Sequence, residues 1–200
     1  MKEPFVTFIK NELETSILLI TCGLPGTWKT ETSQEISKLK NYPILRTDLI
    51  RLDVLKNEDI FDTKVAGNLN KRLLVYDEMF RQAENLAKKG NGVILDATFV
   101  TQDLRRRAAE IAAKTKIPLV ILQTSCSENA SLTRIRKRTK ENYVSNALTK
   151  DAYLANKKRF EPVNLDDLKD RNPNLKIIHL IVDTEYDNPD EWYIIGKQVK

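Results

Sequence analysis

The stretch that decides the fold of this chain is Ser16-Ile17-Leu18-Leu19-Ile20-Thr21-Cys22-Gly23-Leu24-Pro25-Gly26-Thr27-Trp28-Lys29-Thr30. It opens with a short apolar run, 16–21, that has the length of a β-strand. Gly23, Lys29 and Thr30 then match fixed positions of the pattern G-x-x-x-x-G-K-[S/T], and an amphipathic helical pattern follows. Trp28 stands where the pattern has its second glycine. The order of strand, tight loop and helix is the context in which this pattern builds a phosphate-binding loop.

The residue types of this loop have a chemical reason to occur together. Successive backbone N–H groups at a helix N-terminus form a concave site for anions, and the positive end of the helix dipole strengthens it. Lys29 would lie along the β- and γ-phosphates of a nucleotide, and the hydroxyl of Thr30 would ligate Mg²⁺. The pattern therefore predicts ATP and Mg²⁺ as cofactors. The residues predicted to bind the nucleotide are Gly23, Leu24, Pro25, Gly26, Thr27, Trp28, Lys29 and Thr30.

Trp28 is the departure from the pattern. Glycine at this position gives the backbone conformational freedom and leaves room for the nucleotide. An indole is compatible with the loop if the residue has helical dihedral angles and its ring points outward. The alternative is a chance match in a turn that contains glycine and proline. The rest of the chain has to distinguish these two interpretations.

Length and composition bound the class of protein. The chain has 200 residues, of which 41% are hydrophobic and 30% charged, as is typical of a single globular domain spanning residues 1–200. No apolar run approaches the roughly 18 residues that cross a bilayer, and the N-terminus lacks the layout of a secretion signal. We therefore expect a cytoplasmic protein with no membrane partner. The net charge of +5 suits an anionic ligand, without in itself indicating DNA or RNA binding.

The residues that commonly bind metals or form disulfides are few. Cys22 and Cys126 are the two cysteines, too few and too far apart in sequence for a disulfide framework or a metal site. His179 is the single histidine and lies within the apolar run 177–182. We interpret it as a packing residue.

Apolar runs alternate with helical patterns along the chain. The apolar runs are 17–21, 43–47, 93–96, 118–123 and 176–182. The clearest amphipathic patterns between them are 69–89 and 102–116. Strands that alternate with helices pair in parallel through right-handed crossovers, which predicts a layered α/β domain with helices on both faces. Ligands of such sheets bind beyond the carboxyl ends of the strands.

Two aspartates follow predicted strands at that edge. Asp96 ends the run Val93-Ile94-Leu95, as a Walker-B-like carboxylate does, and could ligate Mg²⁺. Asp48 follows the second run and could take the proton of an attacking hydroxyl, while Arg51 could bind a phosphate. The alternative for both aspartates is capping of a helix N-terminus.

Arg134 and Arg138 are four residues apart, so they would share one face of a helix. Arginine spans two phosphate oxygens with its planar fork and keeps its charge. The pair could reach the phosphates from a lid, or it could belong to an ordinary solvated face. A third interpretation is that the basic segment 134–140 binds nucleic acid.

The ordered set of these motifs resembles the predicted P-loop kinases of the AAA_33 type, which are relatives of polynucleotide kinase and of zeta-toxin-like and gluconate-kinase-like enzymes. The similarity covers roughly residues 16–184. The segments that carry it are Gly23-Leu24-Pro25-Gly26, Thr47-Asp48-x-x-Arg51, Leu95-Asp96-Ala97-Thr98-Phe99, Arg105 to Arg107, Arg134-x-x-x-Arg138, Ser145-Asn146-Ala147, Phe160-Glu161-Pro162 and Val182-Asp183-Thr184. Asn146 departs from the family's aspartate, as Trp28 departs from its glycine.

The resemblance implies a P-loop NTPase three-layer sandwich with a five-stranded parallel sheet of order 2-3-1-4-5 and a helical lid at about 128–160. It implies an ATP-dependent phosphotransferase whose acceptor is a hydroxyl of a polynucleotide 5′-end or of a small molecule. The alternative is a catalytically weakened nucleotide-binding switch or scaffold with a drifted loop. The catalytic residues would be Lys29, Asp48, Arg134 and Arg138, the substrate-binding residues Asp48 and Arg51, and the metal ligands Thr30 and Asp96. The acceptor, the choice between ATP and GTP and the oligomeric state stay open.

Overall fold

The computed structural model describes residues 2–60, 62, 64–65, 68–139 and 148–200. Within these residues the strands are β1 (Glu3–Pro4), β2 (Leu18–Cys22), β3 (Ile44–Arg46), β4 (Val93–Asp96), β5 (Leu119–Ser125), β6 (Ile177–Asp183) and β7 (Tyr193–Val199). The helices are α1 (Phe5–Glu12), α2 (Lys29–Lys40), α3 (Thr47–Val54), α4 (Leu69–Ala87), α5 (Gln102–Thr115), α6 (Glu128–Arg136), α7 (Lys150–Arg159) and α8 (Leu165–Arg171). A 3₁₀ turn, Pro189–Glu191, precedes β7.

In the described part of the chain the strands form one sheet of seven, in the order β1-β7-β6-β5-β2-β4-β3. The adjacent strands β3, β4, β2, β5 and β6 are parallel to one another. They are the second, third, first, fourth and fifth of the strands predicted from the sequence, which confirms the predicted order 2-3-1-4-5. The prediction of only five strands is wrong, because β7 pairs antiparallel with β6 and β1 pairs antiparallel with β7. Ile194 is the one fully buried residue of β7. Such an edge strand has no continuous apolar run and is therefore hard to detect in a sequence.

Helices cover both faces of the sheet, as predicted. In β2, Leu18 and Ile20 face a core shared with α4 and α5, whereas Leu19 faces a second core shared with α1 and α2. Because β2 and β4 are buried on both faces, their sequences are continuous apolar runs. The result is a three-layer α/β sandwich. Among the described residues, no helix has the length and apolar character needed to cross a membrane.

The carboxyl ends of the parallel strands lie along one edge, where the following segments are joined by hydrogen bonds. The register of β3 and β4 places Arg46 opposite Asp96. The N–H of Gly23 donates to the carbonyl oxygen of Thr98 at 3.2 Å. This bond joins the loop after β2 to the segment after β4, so the polar residues that follow these strands are brought together.

His179 lies buried in β6, consistent with a packing role. Its Nε2 is 3.0 Å from Oε1 of Gln123 on β5. Burial, and to a smaller extent the charge of Arg105, lower its pKa to about 4. The imidazole is therefore neutral in the folded protein at neutral pH.

This histidine makes stability depend on pH. The unfolded chain binds the proton near pH 6.5 and the folded chain only near pH 4. Between these values the unfolded state holds more protons, so the free energy of unfolding falls as the pH decreases. Between pH 7.5 and pH 5, we expect the free energy of unfolding to fall by about 2 kcal/mol more in the wild-type protein than in the His179→Gln variant. Chemical denaturation at both pH values measures this difference, and equal losses in the two proteins would contradict the prediction.

Candidate active site

Two glycines shape the loop that follows β2. Gly23 has φ 142° and Gly26 has φ 82°, both in the region that favours glycine. A Cβ atom at Gly23 would lie 2.8 Å from the carbonyl oxygen of Thr124, and one at Gly26 would lie 2.6 Å from that of Ser131. Since a side chain does not fit at either position, the two glycines let the loop pack closely against the end of β5 and against α6, just before α2 begins at Lys29.

Trp28 has φ 58° and ψ 33°, so its backbone lies in the left-handed region. Helical angles, the condition under which an indole was expected to fit, are not present here, because the position keeps a conformation of the kind that glycine normally supplies. For a residue with a side chain this conformation costs roughly 1–2 kcal/mol. Two contacts hold the indole. Its ring centre lies 4.7 Å from the guanidinium carbon of Arg134, and its Nε1 donates to Oδ1 of Asp187 at 3.2 Å. We infer that these contacts offset the backbone strain.

The side chain of Lys29 turns back onto the loop. Its Nζ donates to the carbonyl oxygen of Leu24 at 2.6 Å. Burial lowers the pKa of this ammonium to about 8, with the charge of Asp96 opposing the shift and the charge of Arg138 adding to it. The lysine cation therefore lies within the loop and close to both of these side chains.

Asp96 and Thr30 meet at the carboxyl edge of the sheet. The hydroxyl of Thr30 donates to Oδ2 of Asp96 at 2.7 Å, and Nε of Arg46 lies 3.3 Å from the same oxygen. Burial raises the pKa of Asp96, and the hydrogen bond from Thr30 acts against this shift. The next helix, α5, begins at Gln102 with Thr101 as its N-cap residue. The capping alternative for Asp96 is therefore excluded.

The oxygen atoms of Thr30 and Asp96 fit a Mg²⁺ site. This ion takes oxygen ligands and is usually bound by one or two carboxylates together with water and substrate phosphates. In the described ranges there is no cluster of three or more His, Cys, Asp or Glu side chains that could hold a metal. The pair therefore suits a cation that is shared with the phosphates of a nucleotide, rather than one enclosed by protein groups.

Asp48 lies in the first turn of α3. Its Oδ1 accepts a hydrogen bond from Nη1 of Arg51 at 2.7 Å. The N-cap residue of α3 is Arg46, and the helix has no side-chain cap, so Asp48 does not serve as one. Its charge is close enough to Asp96 to contribute to the raised pKa of that carboxyl. The two aspartates thus belong to one region of the carboxyl edge.

Arg134 is buried in this structure, with only 5% of its surface exposed, and it contacts several segments of the chain. Its Nε pairs with Asp187 at 2.9 Å. Its Nη1 donates to the carbonyl of Gly26 at 3.2 Å, and its Nη2 donates to those of Thr184 and Glu185 at 2.9 and 2.7 Å. The guanidinium thereby connects the loop to the segment after β6. Because these contacts occupy all three nitrogen atoms, we revise the expectation that Arg134 reaches phosphate from a lid and assign it a positioning role.

Arg138 does not share a helix face with Arg134. Helix α6 ends at Arg136, so the spacing of four residues no longer places both side chains on one face. The charge of Arg138 contributes to the lowered pKa of Lys29. Arg138 is therefore the member of the pair that we retain as a candidate for contact with phosphate.

The segment interpreted as a lid, 128–160, includes α6 and α7. These helices pack together through Leu132, Ile135 and Tyr153. Residues 140–147, with the segment Ser145-Asn146-Ala147, lie outside the described residues.

The chain that follows α7 is fixed to the segment after β4. The N–H of Glu161 donates to the carbonyl of Val100 at 2.8 Å, and its carboxylate accepts a bond from the N–H of Gln102 at 2.5 Å. Arg105 is fully buried and donates to the carbonyls of Phe99 and Glu161 at 3.0 and 2.7 Å. These bonds place the C-terminal end of α7 beside the carboxyl edge.

Sequence reasoning missed two residues of this region, Arg46 and Asp187. Arg46 was detectable, since it lies near the carboxyl end of the predicted strand 43–47, and the parallel register places it opposite Asp96. Asp187 had no such signal, because nothing in its spacing connects the segment after β6 with Trp28. Only the folded chain brings them together.

The chain is similar in sequence to a protein family and to individual proteins of known sequence. The profile of the AAA_33 family, described as an AAA domain, matches residues 18–163. Uncharacterized proteins of Mycobacterium tuberculosis and Mycobacterium bovis are 28% identical to the chain over 127 residues. The match covers 60% of this chain and 25% of each relative, so the chain spans about a quarter of the length of the curated relatives it matches.

Solved structures with the same fold are described as kinases. A provisionally assigned kinase from Chloroflexus aurantiacus has a TM-score of 0.63 at 17% identity, over 86% of this chain and 90% of its own. A sugar kinase from a Janibacter species has a TM-score of 0.62 at 12% identity, over 89% and 90%. A gluconokinase from Sinorhizobium meliloti has a TM-score of 0.57 at 13% identity, over 87% and 86%. At these identities the likeness concerns the fold.

Proposed function

The chain belongs to the AAA_33 family of AAA domains, and from this premise we propose that it is a kinase that transfers the γ-phosphoryl group of ATP to a hydroxyl. The observation that carries the proposal is the cluster of Lys29, Thr30 and Asp96 around a loop that two glycines shape at a helix N-terminus. Such a cluster supplies backbone donors, a cation and metal ligands for a triphosphate. We place the reaction in the cytoplasm, in keeping with the sequence-based expectation.

Nucleotide binding is assigned to the loop. Backbone N–H groups of residues 24 and 26–30 would bind phosphate oxygens, and Lys29 would exchange its bond with the Leu24 carbonyl for the β- and γ-phosphates. Mg²⁺ held by Thr30 and Asp96 would neutralise phosphate charge during transfer. Arg138 would stabilise the same charge from the side of the segment that follows α6.

The acceptor is assigned to the side of Asp48. The acceptor oxygen bonds to the γ-phosphorus while the bond to the departing ADP oxygen breaks, and Asp48 takes the proton of the hydroxyl. An ordinary carboxylate suffices for this role, because in a loose phosphoryl transfer the proton leaves late. Arg51 holds the carboxylate in place at 2.7 Å and can contact the acceptor. The gluconokinase and sugar kinase among the structures of similar fold favour a small molecule over a polynucleotide 5′-end.

The proposal is tested by incubating the protein with γ-labelled ATP, Mg²⁺ and a panel of sugars, sugar acids and 5′-hydroxyl oligonucleotides. Transfer of label to an acceptor is the expected result. We expect Lys29→Met to weaken ATP binding by about tenfold or more, because a buried charged donor is lost. Calorimetric titration measures this effect, and Lys38→Met, which changes an exposed lysine of the same helix, is the matched control. Absence of transfer, with equal ATP affinity in the wild type and Lys29→Met, would refute the proposal.

A second function, a nucleotide-binding switch without turnover, is favoured by one observation. The left-handed Trp28 and the bond from Lys29 to the Leu24 carbonyl stabilise the loop through contacts within the protein itself. If this arrangement persists with nucleotide bound, Lys29 does not reach the γ-phosphate. Calorimetry with ATP and ADP distinguishes the two functions, since tight binding without turnover supports the switch.

A further inference from the structure

Arg72 on α4 has an unusual environment for an arginine of this protein. Its side chain is half-buried. In the described part of the chain, no hydrogen bond or ion pair from its guanidinium to another group is present. By contrast, Arg81 on α4 is paired with Glu78, and Arg106 on α5 is paired with Asp167. Arg72 thus presents a partly desolvated charge that no described carboxylate neutralises.

The position of Arg72 is set by Tyr76, one helical turn further along α4 and therefore on the same face. Tyr76 is buried and packs edge-on against Phe99, with 5.7 Å between the two ring centres. This contact brings this face of α4 to the segment that follows β4. Arg72 accordingly lies at the carboxyl edge, on the side where Asp48 and the acceptor are assigned.

Two further arginines converge on the same place. Arg51 of α3 holds Asp48 at 2.7 Å, and α3 packs against α4. Arg159 is the last residue of α7, which the bond between Glu161 and Val100 ties to the segment after β4. Arg159 is exposed, and among the described residues its side chain has no ion pair.

The guanidinium of Arg72 is close enough to those of Arg159 and Arg51 to be influenced by their charges. Burial lowers the pKa of Arg72, and the charges of Arg159 and Arg51 lower it further, whereas Tyr76 acts in the opposite direction. Asp48 is the one described carboxylate that is paired with a member of this group. An excess of two positive charges therefore remains, and like charges in a partly desolvated site repel.

We propose that Arg51, Arg72 and Arg159 form a subsite for a carboxylate or phosphate group carried by the acceptor, next to the hydroxyl that faces Asp48. An anion bound there neutralises the excess charge, and planar guanidinium groups bind such anions through paired N–H donors. The role of this anion as part of an acceptor rests on the proposed kinase function. The acceptor class is then a small hydroxylated acid or phosphate ester, rather than a neutral sugar.

The subsite is tested first by binding, without reference to catalysis. Inorganic phosphate is titrated calorimetrically into wild-type protein saturated with ADP and Mg²⁺, and into the Arg72→Gln and Lys158→Gln variants under the same conditions. We expect Arg72→Gln to weaken phosphate binding by about tenfold or more, because a charge-assisted donor pair is lost. Lys158→Gln removes an exposed charge beside Arg159 and should match the wild type. Arg72→Lys should give an intermediate value.

A second titration keeps the two proposals separable. Phosphate is added without nucleotide to Lys29→Met protein and to the double variant Lys29→Met/Arg72→Gln. A further loss of affinity in the double variant supports the arginine subsite even if ADP does not bind and the kinase proposal fails. Equal phosphate affinity with and without Arg72→Gln, in both backgrounds, overturns the subsite.

Acceptor pairs then identify the source of the anion. Gluconate is compared with sorbitol, glycerol 3-phosphate with glycerol, and a 5′-hydroxyl oligonucleotide with its nucleoside. We expect the charged small molecule of a pair to be preferred in kcat/KM and Arg72→Gln to reduce this preference by about tenfold. A preference confined to the oligonucleotide and lost in Arg72→Gln would assign the subsite to nucleic-acid phosphate. Equal transfer to the charged and the neutral member of each pair, with no change of this ratio in Arg72→Gln, overturns the inference while leaving kinase activity established.

Discussion

Replacing Asp48 by asparagine is expected to lower phosphoryl transfer by roughly 10²- to 10⁴-fold, the usual effect of removing a general base. The amide oxygen of asparagine can still accept the bond from Arg51 that holds Asp48 at 2.7 Å, so the local structure should persist. ATP affinity should be almost unchanged, because the loop and Lys29 bind the nucleotide. The expected signature is therefore a large decrease in kcat together with a similar dissociation constant for ATP.

Single-turnover kinetics with saturating ATP measures the transfer step for this variant. Asp53→Asn is the matched control, since it removes an exposed carboxylate from the same helix and should retain wild-type rates. The assignment of Asp48 as base would be refuted if Asp48→Asn kept its transfer rate. A decrease in ATP affinity equal to the decrease in rate would instead place Asp48 among the nucleotide-binding groups.

Much of the fold could be predicted because its central strands are buried on both faces. The runs in β2 and β4 are continuous in apolar residues for that reason, and their alternation with helical patterns implies parallel pairing. The order of the parallel strands was implied by the resemblance to the kinase family, and the structure has that order. The antiparallel β7 escaped detection because it exposes one face, and β1 consists of only two residues. Edge strands depend on their neighbours more than on their own pattern.

The candidate site likewise contains residues whose positions could be predicted from the sequence and residues whose positions could not. Thr30 comes after β2 and Asp96 ends β4, and the ends of these strands must meet in a parallel sheet. The proximity of the two residues could therefore be predicted, and the structure shows it as a hydrogen bond of 2.7 Å. The spacing of Arg134 and Arg138 misled, because it assumes a helix that continues beyond Arg136. Whether an arginine faces solvent or is buried among carbonyls depends on tertiary packing, which periodicity does not encode.

Removing the side chain of Arg134 is expected to lower the free energy of unfolding by about 3 kcal/mol, as is typical when one partner of a buried charged network is deleted. In Arg134→Ala the carbonyls of Gly26, Thr184 and Glu185 lose their donor, and Asp187 loses its ion partner. The indole of Trp28 also loses the guanidinium stacked 4.7 Å from its ring. The left-handed backbone of that residue would then lack much of its support, so ATP affinity should fall together with stability.

Chemical denaturation and calorimetric ATP titration test this prediction on a graded series. Arg136→Ala removes an exposed arginine from the same helix and should change neither quantity. Trp28→Phe keeps a ring for Arg134 but loses the bond to Asp187, so its effect should be smaller than that of Arg134→Ala. A normal ATP affinity in folded Arg134→Ala would show that the loop binds nucleotide without the contacts that Arg134 makes with it. A weakened affinity under conditions where that variant is fully folded would show that Arg134 acts by holding the loop that binds phosphate. Its role would then differ from the direct contact with phosphate that the sequence predicts.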